Sequence, residues 1–74
     1  MIIYTKHAEL RLKQRNLEKS LIETAIAAPD KAIDSFGQRK LVQKKFLNKH
    51  LEVVFIKATS DFIIITAYWL KEEK

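Results

Sequence analysis

Residues 51–56, Leu-Glu-Val-Val-Phe-Ile, and residues 62–65, Phe-Ile-Ile-Ile, are the two apolar, β-prone runs that decide how this chain folds. Hydrophobic residues follow one another directly in both runs, so each strand carries apolar side chains on both of its faces. This pattern predicts two central strands of one sheet, each covered on both sides. A loop over residues 58–61 separates them.

Two further strands are predicted upstream, because the hydrophobic period is two from Lys31 onwards. Turns are expected at Gly37-Gln38 and at Asn48-Lys49. The four strands that follow the helices are therefore expected over residues 31–36, 39–47, 51–57 and 62–69. A short strand is also expected over residues 2–4.

Two helices are predicted between the first strand and the others, over residues 6–15 and 18–28. Thr5 is a suitable N-cap for the first helix, Asn16 ends it, and Pro29 stops the second. The order of elements predicts a single α+β domain over residues 1–74, with two N-terminal helices packed on an antiparallel sheet of four to five strands.

The composition excludes several functional classes. The chain has no cysteine, and its two histidines lack the spacing of a metal site, so neither a metal nor a cofactor is expected. Gly-rich phosphate loops and nucleophile motifs are also missing from the sequence. Because there is no signal-peptide pattern and no apolar run long enough for a bilayer, we expect a soluble cytoplasmic protein without a membrane partner.

The positive charge is concentrated in one segment. The net charge is +5, and residues 38–50 hold five basic residues and no acidic one. The other nine basic residues are balanced by nine acidic residues. This segment indicates either a phosphate-rich or acidic partner, or a lysine-protected edge strand that needs no partner.

The first predicted helix carries a polar stripe, since His7, Arg11 and Arg15 are spaced four residues apart between apolar positions. Such a stripe directs an imidazole and two guanidinium groups towards the rest of the protein. One interpretation is an anion-binding, acid–base cleft. In the alternative, His7 caps a carbonyl and the two arginines pair internally with acidic side chains. The acidic candidates are Asp30, Asp34 and Glu52.

The opening motif Tyr4-Thr5-Lys6-His7-Ala8-x-x-Arg11-x-x-x-Arg15 resembles that of a small family of unknown function within the RelE/ParE-like toxin superfamily. The resemblance continues through residues 20–28, Gly37, residues 51–54 and the closing Ile65-Thr66-Ala67-Tyr68. It implies a helical pair on a curved antiparallel sheet. It also implies a metal-independent endoribonuclease, or a relative of one, that a cognate antitoxin encoded beside it neutralises.

The resemblance also implies roles for individual residues. His7 would be the general base or acid, Arg11 and Arg15 would bind the phosphate, and Tyr68 would assist catalysis. RNA can be cut through its own 2′-hydroxyl with such groups and without a metal. The lysines expected to follow the RNA backbone, matched in character only, are Lys40, Lys44 and Lys45.

Two alternatives to the ribonuclease remain open at this point. One is a non-enzymatic module with a toxin-like fold that binds a protein or RNA through its basic strand. The other is a ParE-like inhibitor of a DNA topoisomerase, which needs no general base. A homodimer is also left open.

Overall fold

A computed structural model describes residues 1–35 and 37–70 of the chain. Its elements are β1 (Ile2–Tyr4), α1 (Lys6–Arg15), α2 (Lys19–Ala27), β2 (Lys31–Asp34), β3 (Arg39–Phe46), β4 (Lys49–Ala58) and β5 (Asp61–Trp69). Each predicted helix and strand is thus confirmed, with small shifts at the ends. The predicted end of β2 at Phe36 lies outside the described residues. Within the described residues, no helix has the length and apolar character needed to cross a membrane.

The five strands form one mixed sheet in the order β1-β5-β4-β3-β2. Strands β2 to β5 pair antiparallel with their neighbours, whereas β1 pairs parallel with β5. The prediction of a purely antiparallel sheet is therefore wrong at this edge. The long connection allows this pairing, because both helices and three strands separate β1 from β5 and no hairpin forces the two strands to run antiparallel.

Thr5 fixes the start of α1 and also attaches it to the sheet. Its hydroxyl oxygen accepts a hydrogen bond from the backbone N–H of Ala8 at 3.0 Å and donates one to the carbonyl of Ile64 at 3.2 Å. Asn16 ends the helix in the left-handed conformation (φ 56°), which asparagine tolerates better than most residues. Both ends of α1 are therefore set by the residues that the sequence singles out.

The hydrophobic core lies between the helices and one face of the sheet. Helix α1 packs on β5, and α2 packs on β3 and β4. Alternate strand residues point to this face. The buried core residues are Ala8, Leu12, Leu17, Ile22, Ala25, Val42, Leu51, Val53, Phe55, Ile64 and Ala67.

The opposite face of the sheet carries no helix in the part of the chain that the structure describes. Val54, Ile56 and Ile63 are only half-buried there, and Ile33 is exposed. The prediction that the central strands are covered on both sides is therefore wrong. The two helices have about ten residues each and both follow β1, which is enough to cover one face of the sheet. The apolar stripes of both helices pack on that face, so the chain has no apolar helix surface left for the other.

The hairpin between β3 and β4 turns one residue earlier than predicted, at Leu47 and Asn48. Phe46 pairs with Lys49 across the turn. Leu47 adopts a φ of 58° and is 95% exposed, so a residue that usually avoids the left-handed region occupies the tip.

Candidate functional site

The polar stripe of α1 is present and is not neutralised by acidic side chains. Nε of Arg11 donates to Nε2 of His7 at 3.3 Å, and Nη1 of Arg11 donates to Oε1 of Gln14 at 3.3 Å. His7 is exposed and Arg11 is half-buried. Among residues 1–35 and 37–70, no carboxylate lies within ion-pair distance of His7, Arg11 or Arg15.

The alternative of internal ion pairs is therefore wrong for the described residues. Asp34 is bound by Lys40, with 2.9 Å between Oδ1 and Nζ, and Asp30 is 3.7 Å from the Lys44 ammonium nitrogen. The third candidate, Glu52, is bound by neutral donors. The arginines of α1 consequently keep their positive charge available to a ligand.

Arg15 links the stripe to the sheet. Its Nη1 donates to Oγ1 of Thr66 and to the carbonyl oxygen of Ala67, both at 3.2 Å, and its guanidinium carbon lies 6.0 Å from the centre of the Tyr68 ring. Strand β1 pairs with β5 only as far as Ile64. The outer edge of β5 beyond that point is therefore open to the last residue of α1.

A row of polar side chains continues from Arg15 across the open face of the sheet. The strand register places Tyr68, Glu52 and Gln43 side by side on β5, β4 and β3. The hydroxyl of Tyr68 donates to Oε2 of Glu52, and Nε2 of Gln43 donates to Oε1 at 2.8 Å. Glu52 is only 8% exposed and is the one charged residue that is buried in the described part of the chain.

A carboxylate with so little exposure and no cationic partner is unusual, because burial of a charge is unfavourable unless it is paired. Here two hydrogen bonds stabilise it instead. Because the Tyr68 that binds Glu52 also contacts the guanidinium of Arg15, Glu52 belongs to the candidate site together with these two residues.

The hydrogen bond to Glu52 raises the pKa of Tyr68 to about 12, with burial and the charge of Glu52 acting in the same direction and Arg15 opposing them. The folded-state pKa is above the ordinary value of 10.0. The neutral phenol therefore stabilises the fold fully below pH 10, and this contribution is lost as the pH rises towards 12.

Glu52→Gln is expected to return the pKa of Tyr68 towards 10, because the neutral amide removes the charge but keeps an acceptor for the hydroxyl. The measurement is a spectrophotometric titration of the two tyrosines. Tyr4 is the internal control, since burial and Glu23 raise its pKa to about 12 without any contact with Glu52. If both tyrosines still titrate near 12 in the variant, Glu52 does not control Tyr68.

The three lysines predicted to follow RNA are divided between the two faces of the sheet. Lys40 and Lys44 lie on the helix-bearing face, in register with Phe55 and Leu51, whereas Lys45 lies on the open face with Gln43. Oδ2 of Asp30 accepts a hydrogen bond from the backbone N–H of Lys45 at 2.8 Å. This bond, with the nearby Lys44 ammonium, lowers the pKa of Asp30.

The structure thus brings together Arg15 and Tyr68, with His7 and Arg11 continuing along α1, and it separates Lys40 and Lys44 from them. Sequence reasoning missed Thr66, Glu52 and Gln43 as members of the site. A signal for Glu52 existed, since it is the one charged residue inside the apolar run 51–56. Among the described residues, no group of histidine and acidic side chains is suited to hold a metal ion.

Residues 4–69 of the chain match the sequence profile of a family described as "Domain of unknown function (DUF4258)". No curated protein and no solved structure matches the chain. The family match includes the stripe on α1, the buried carboxylate of β4 and the closing tyrosine of β5. The chain belongs to the DUF4258 family of domains.

Proposed function

We propose that this protein is the toxin of a toxin–antitoxin pair and acts as a metal-independent endoribonuclease. The observation that carries the proposal is the arrangement of α1. Its His7, Arg11 and Arg15 have no acidic partner in the described residues. In addition, Arg15 lies against Tyr68, whose side chain is on the open face of the sheet. The resemblance of the opening motif to RelE/ParE-like toxins supports the same function and implies a cognate antitoxin.

Arg15 is suited to hold the scissile phosphate. Thr66 and Ala67 fix Nη1, and the remaining N–H groups of the guanidinium have no hydrogen-bond partner among residues 1–35 and 37–70. A guanidinium held in this way offers a planar fork of donors that matches two phosphate oxygens. It would stabilise the negative charge that develops when the 2′-hydroxyl attacks the phosphorus.

His7 is suited to move the proton. Its Nε2 accepts a hydrogen bond from Nε of Arg11, which occupies the lone pair of this nitrogen. When Arg11 turns its N–H groups to the phosphate, that lone pair is released and can take the proton of a 2′-hydroxyl. The 5′-oxygen leaves on the opposite side of the phosphorus and takes its proton from water, because an in-line displacement keeps it away from His7. Arg11 beside it would add positive charge next to the phosphate.

Tyr68 is better suited to position than to donate a proton. Its hydroxyl proton is directed at Glu52, and its raised pKa makes it a weak acid at neutral pH. The ring lies under the guanidinium of Arg15 and so limits the orientations of that group. Among the predicted lysines, Lys45 alone shares this face, and we assign it to the RNA backbone while Lys40 and Lys44 contribute only to the general positive field.

Induced expression in a bacterial host tests the proposal. The wild-type protein is expected to arrest growth, and His7→Ala is expected to relieve the arrest because the proton acceptor is removed. His50→Ala is the matched control, since His50 is exposed at the start of β4 away from α1, and it should arrest growth as the wild type does. Arrest by His7→Ala as strong as by the wild type would favour a topoisomerase inhibitor, and absence of arrest by the wild type would contradict the toxin function.

A further inference from the structure

The open face of the sheet carries six aliphatic side chains in two neighbouring rows. The strand register aligns Ile3, Ile63 and Ile56 across β1, β5 and β4, and it aligns Val54, Leu41 and Ile33 across β4, β3 and β2. We call these residues the aliphatic strip. It adjoins the polar row of Tyr68, Glu52 and Gln43 but contains none of its members.

The aliphatic strip is accessible to a partner. Ile3 is 39% exposed and Ile33 is 41% exposed, and the four residues between them are half-buried. Nothing in the described part of the chain packs over this face, whereas both helices lie on the other. A two-layer domain with apolar residues on its outer sheet face lacks the third layer that usually covers such residues.

The dimensions of the aliphatic strip match one short helix. The strip crosses five strands, and with a spacing of about 4.8 Å between neighbouring strands its length is roughly 19 Å. At about 1.5 Å per residue, an α-helix of roughly 13 residues covers this distance. Each strand contributes one residue to the strip except β4, which contributes two, so the strip is a narrow line that shifts by one row at β4. Such a line suits the apolar stripe of an amphipathic helix.

The charges around the aliphatic strip define the partner further. Arg39 continues the row of Ile56, Lys31 lies in the neighbouring row with Gln43, and Lys45 lies on the same face one row further away. Of the two carboxylates on this face, Asp61 is paired with the N-terminal amine of Met1 at 3.4 Å, whereas Glu52 keeps its charge because its donors are neutral. Three cations thus face one carboxylate without a cationic partner. The field around the strip is therefore positive.

We propose that the aliphatic strip is a docking surface for an amphipathic helix of a partner protein, with acidic residues on both sides of the helix's apolar stripe. A second copy of this chain is a poorer occupant, because facing sheets would bring the same cations together. RNA is also poorer, since its bases stack on aromatic or guanidinium planes, not on aliphatic side chains. The inference does not depend on ribonuclease activity.

Selection from a peptide library tests the proposal without a known partner. The probe is a displayed library of 14-residue peptides with equal numbers of acidic and basic codons at the randomised positions. Peptides that bind the wild-type protein are expected to combine apolar residues at helical spacing with an excess of Asp and Glu. Amide chemical shifts on addition of a selected peptide should change on the open face of β3, β4 and β5.

Ile56→Glu places a carboxylate in the centre of the aliphatic strip and should weaken the selected peptide at least tenfold. Leu10→Glu is the matched control, because Leu10 is 53% exposed on α1 and outside the strip, and it should leave affinity unchanged. Circular dichroism of both variants confirms that they are folded. The proposal would be overturned if the library yielded basic peptides or no binding peptide, or if Ile56→Glu left peptide binding intact. It would also be overturned if the wild type sedimented as a dimer that Ile56→Glu dissociates.

Discussion

Arg15→Ala is expected to lower the rate of RNA cleavage by about 10²–10³-fold, the loss typical of removing one fixed donor to a charged transition state. The guanidinium of Arg15 is held by Thr66 and Ala67 beside the ring of Tyr68, so truncation removes a cation that the fold has already oriented. The measurement is cleavage of a labelled single-stranded RNA by purified protein. Arg15→Lys should recover only a small part of the rate, because an ammonium group lacks the planar fork.

Lys13→Ala is the control for the Arg15 experiment. Lys13 lies on the same helix and carries the same charge, but it is exposed on the arc away from the sheet, so its removal should change the rate little. A thermal melt of both variants separates a lost site from a lost fold. Equal rates for Arg15→Ala and Lys13→Ala would show that Arg15 does not bind the phosphate.

Leu51→Ala is expected to reduce the free energy of unfolding by about 2–5 kcal/mol, the cost of truncating a large side chain in a packed core. Leu51 has no exposed surface and lies in the core between β4 and the helices. At roughly 0.05–0.15 kcal/mol per residue, a domain of this size has a total stability of about 4–11 kcal/mol, so the variant can lose half of it. Denaturation in urea measures the difference.

Leu47→Ala is the matched control for the core, since it makes the same chemical change at a side chain that is 95% exposed. It should alter the free energy of unfolding by no more than about 0.5 kcal/mol. Equal losses in the two leucine variants would contradict the placement of the core on the helix-bearing face.

Local signals in the sequence were sufficient to predict the elements. Thr5, Asn16 and Pro29 act through their own backbone and side-chain geometry, and the structure places the helix ends within two residues of these markers. The hairpin turn was misplaced by one residue because Leu47, and not Asn48, takes the positive φ. A leucine in that conformation gives no local signal, since turn preferences point to asparagine.

Long-range pairing could not be predicted in the same way. The parallel pairing of β1 with β5 joins residues some 60 positions apart. Apolar residues on both sides of β4 and β5 indicated that both faces would be covered, but the sequence does not say whether the chain itself supplies the second cover. Ile56 and Ile63 carry the signal of a buried strand and yet lie on an open face.

The candidate site was predicted in part for a related reason. His7, Arg11 and Arg15 are one helical turn apart, so their alignment follows from the helix alone. The contact between Arg15 and Tyr68 depends on the packing of α1 along β5. The position of Glu52 beside Tyr68 depends on the register between β4 and β5. Such contacts require the tertiary structure.

The central claim is that the stripe of α1 and the polar row of the sheet form one site that cuts RNA without a metal. The most direct measurement is the product analysis of a single-stranded RNA incubated with purified protein in EDTA, beside the same RNA with 2′-deoxy sugars. We expect cleavage of the first with 2′,3′-cyclic phosphate ends and no cleavage of the second. Intact RNA, with and without ribosomes, or equal cleavage of the two substrates would contradict this claim.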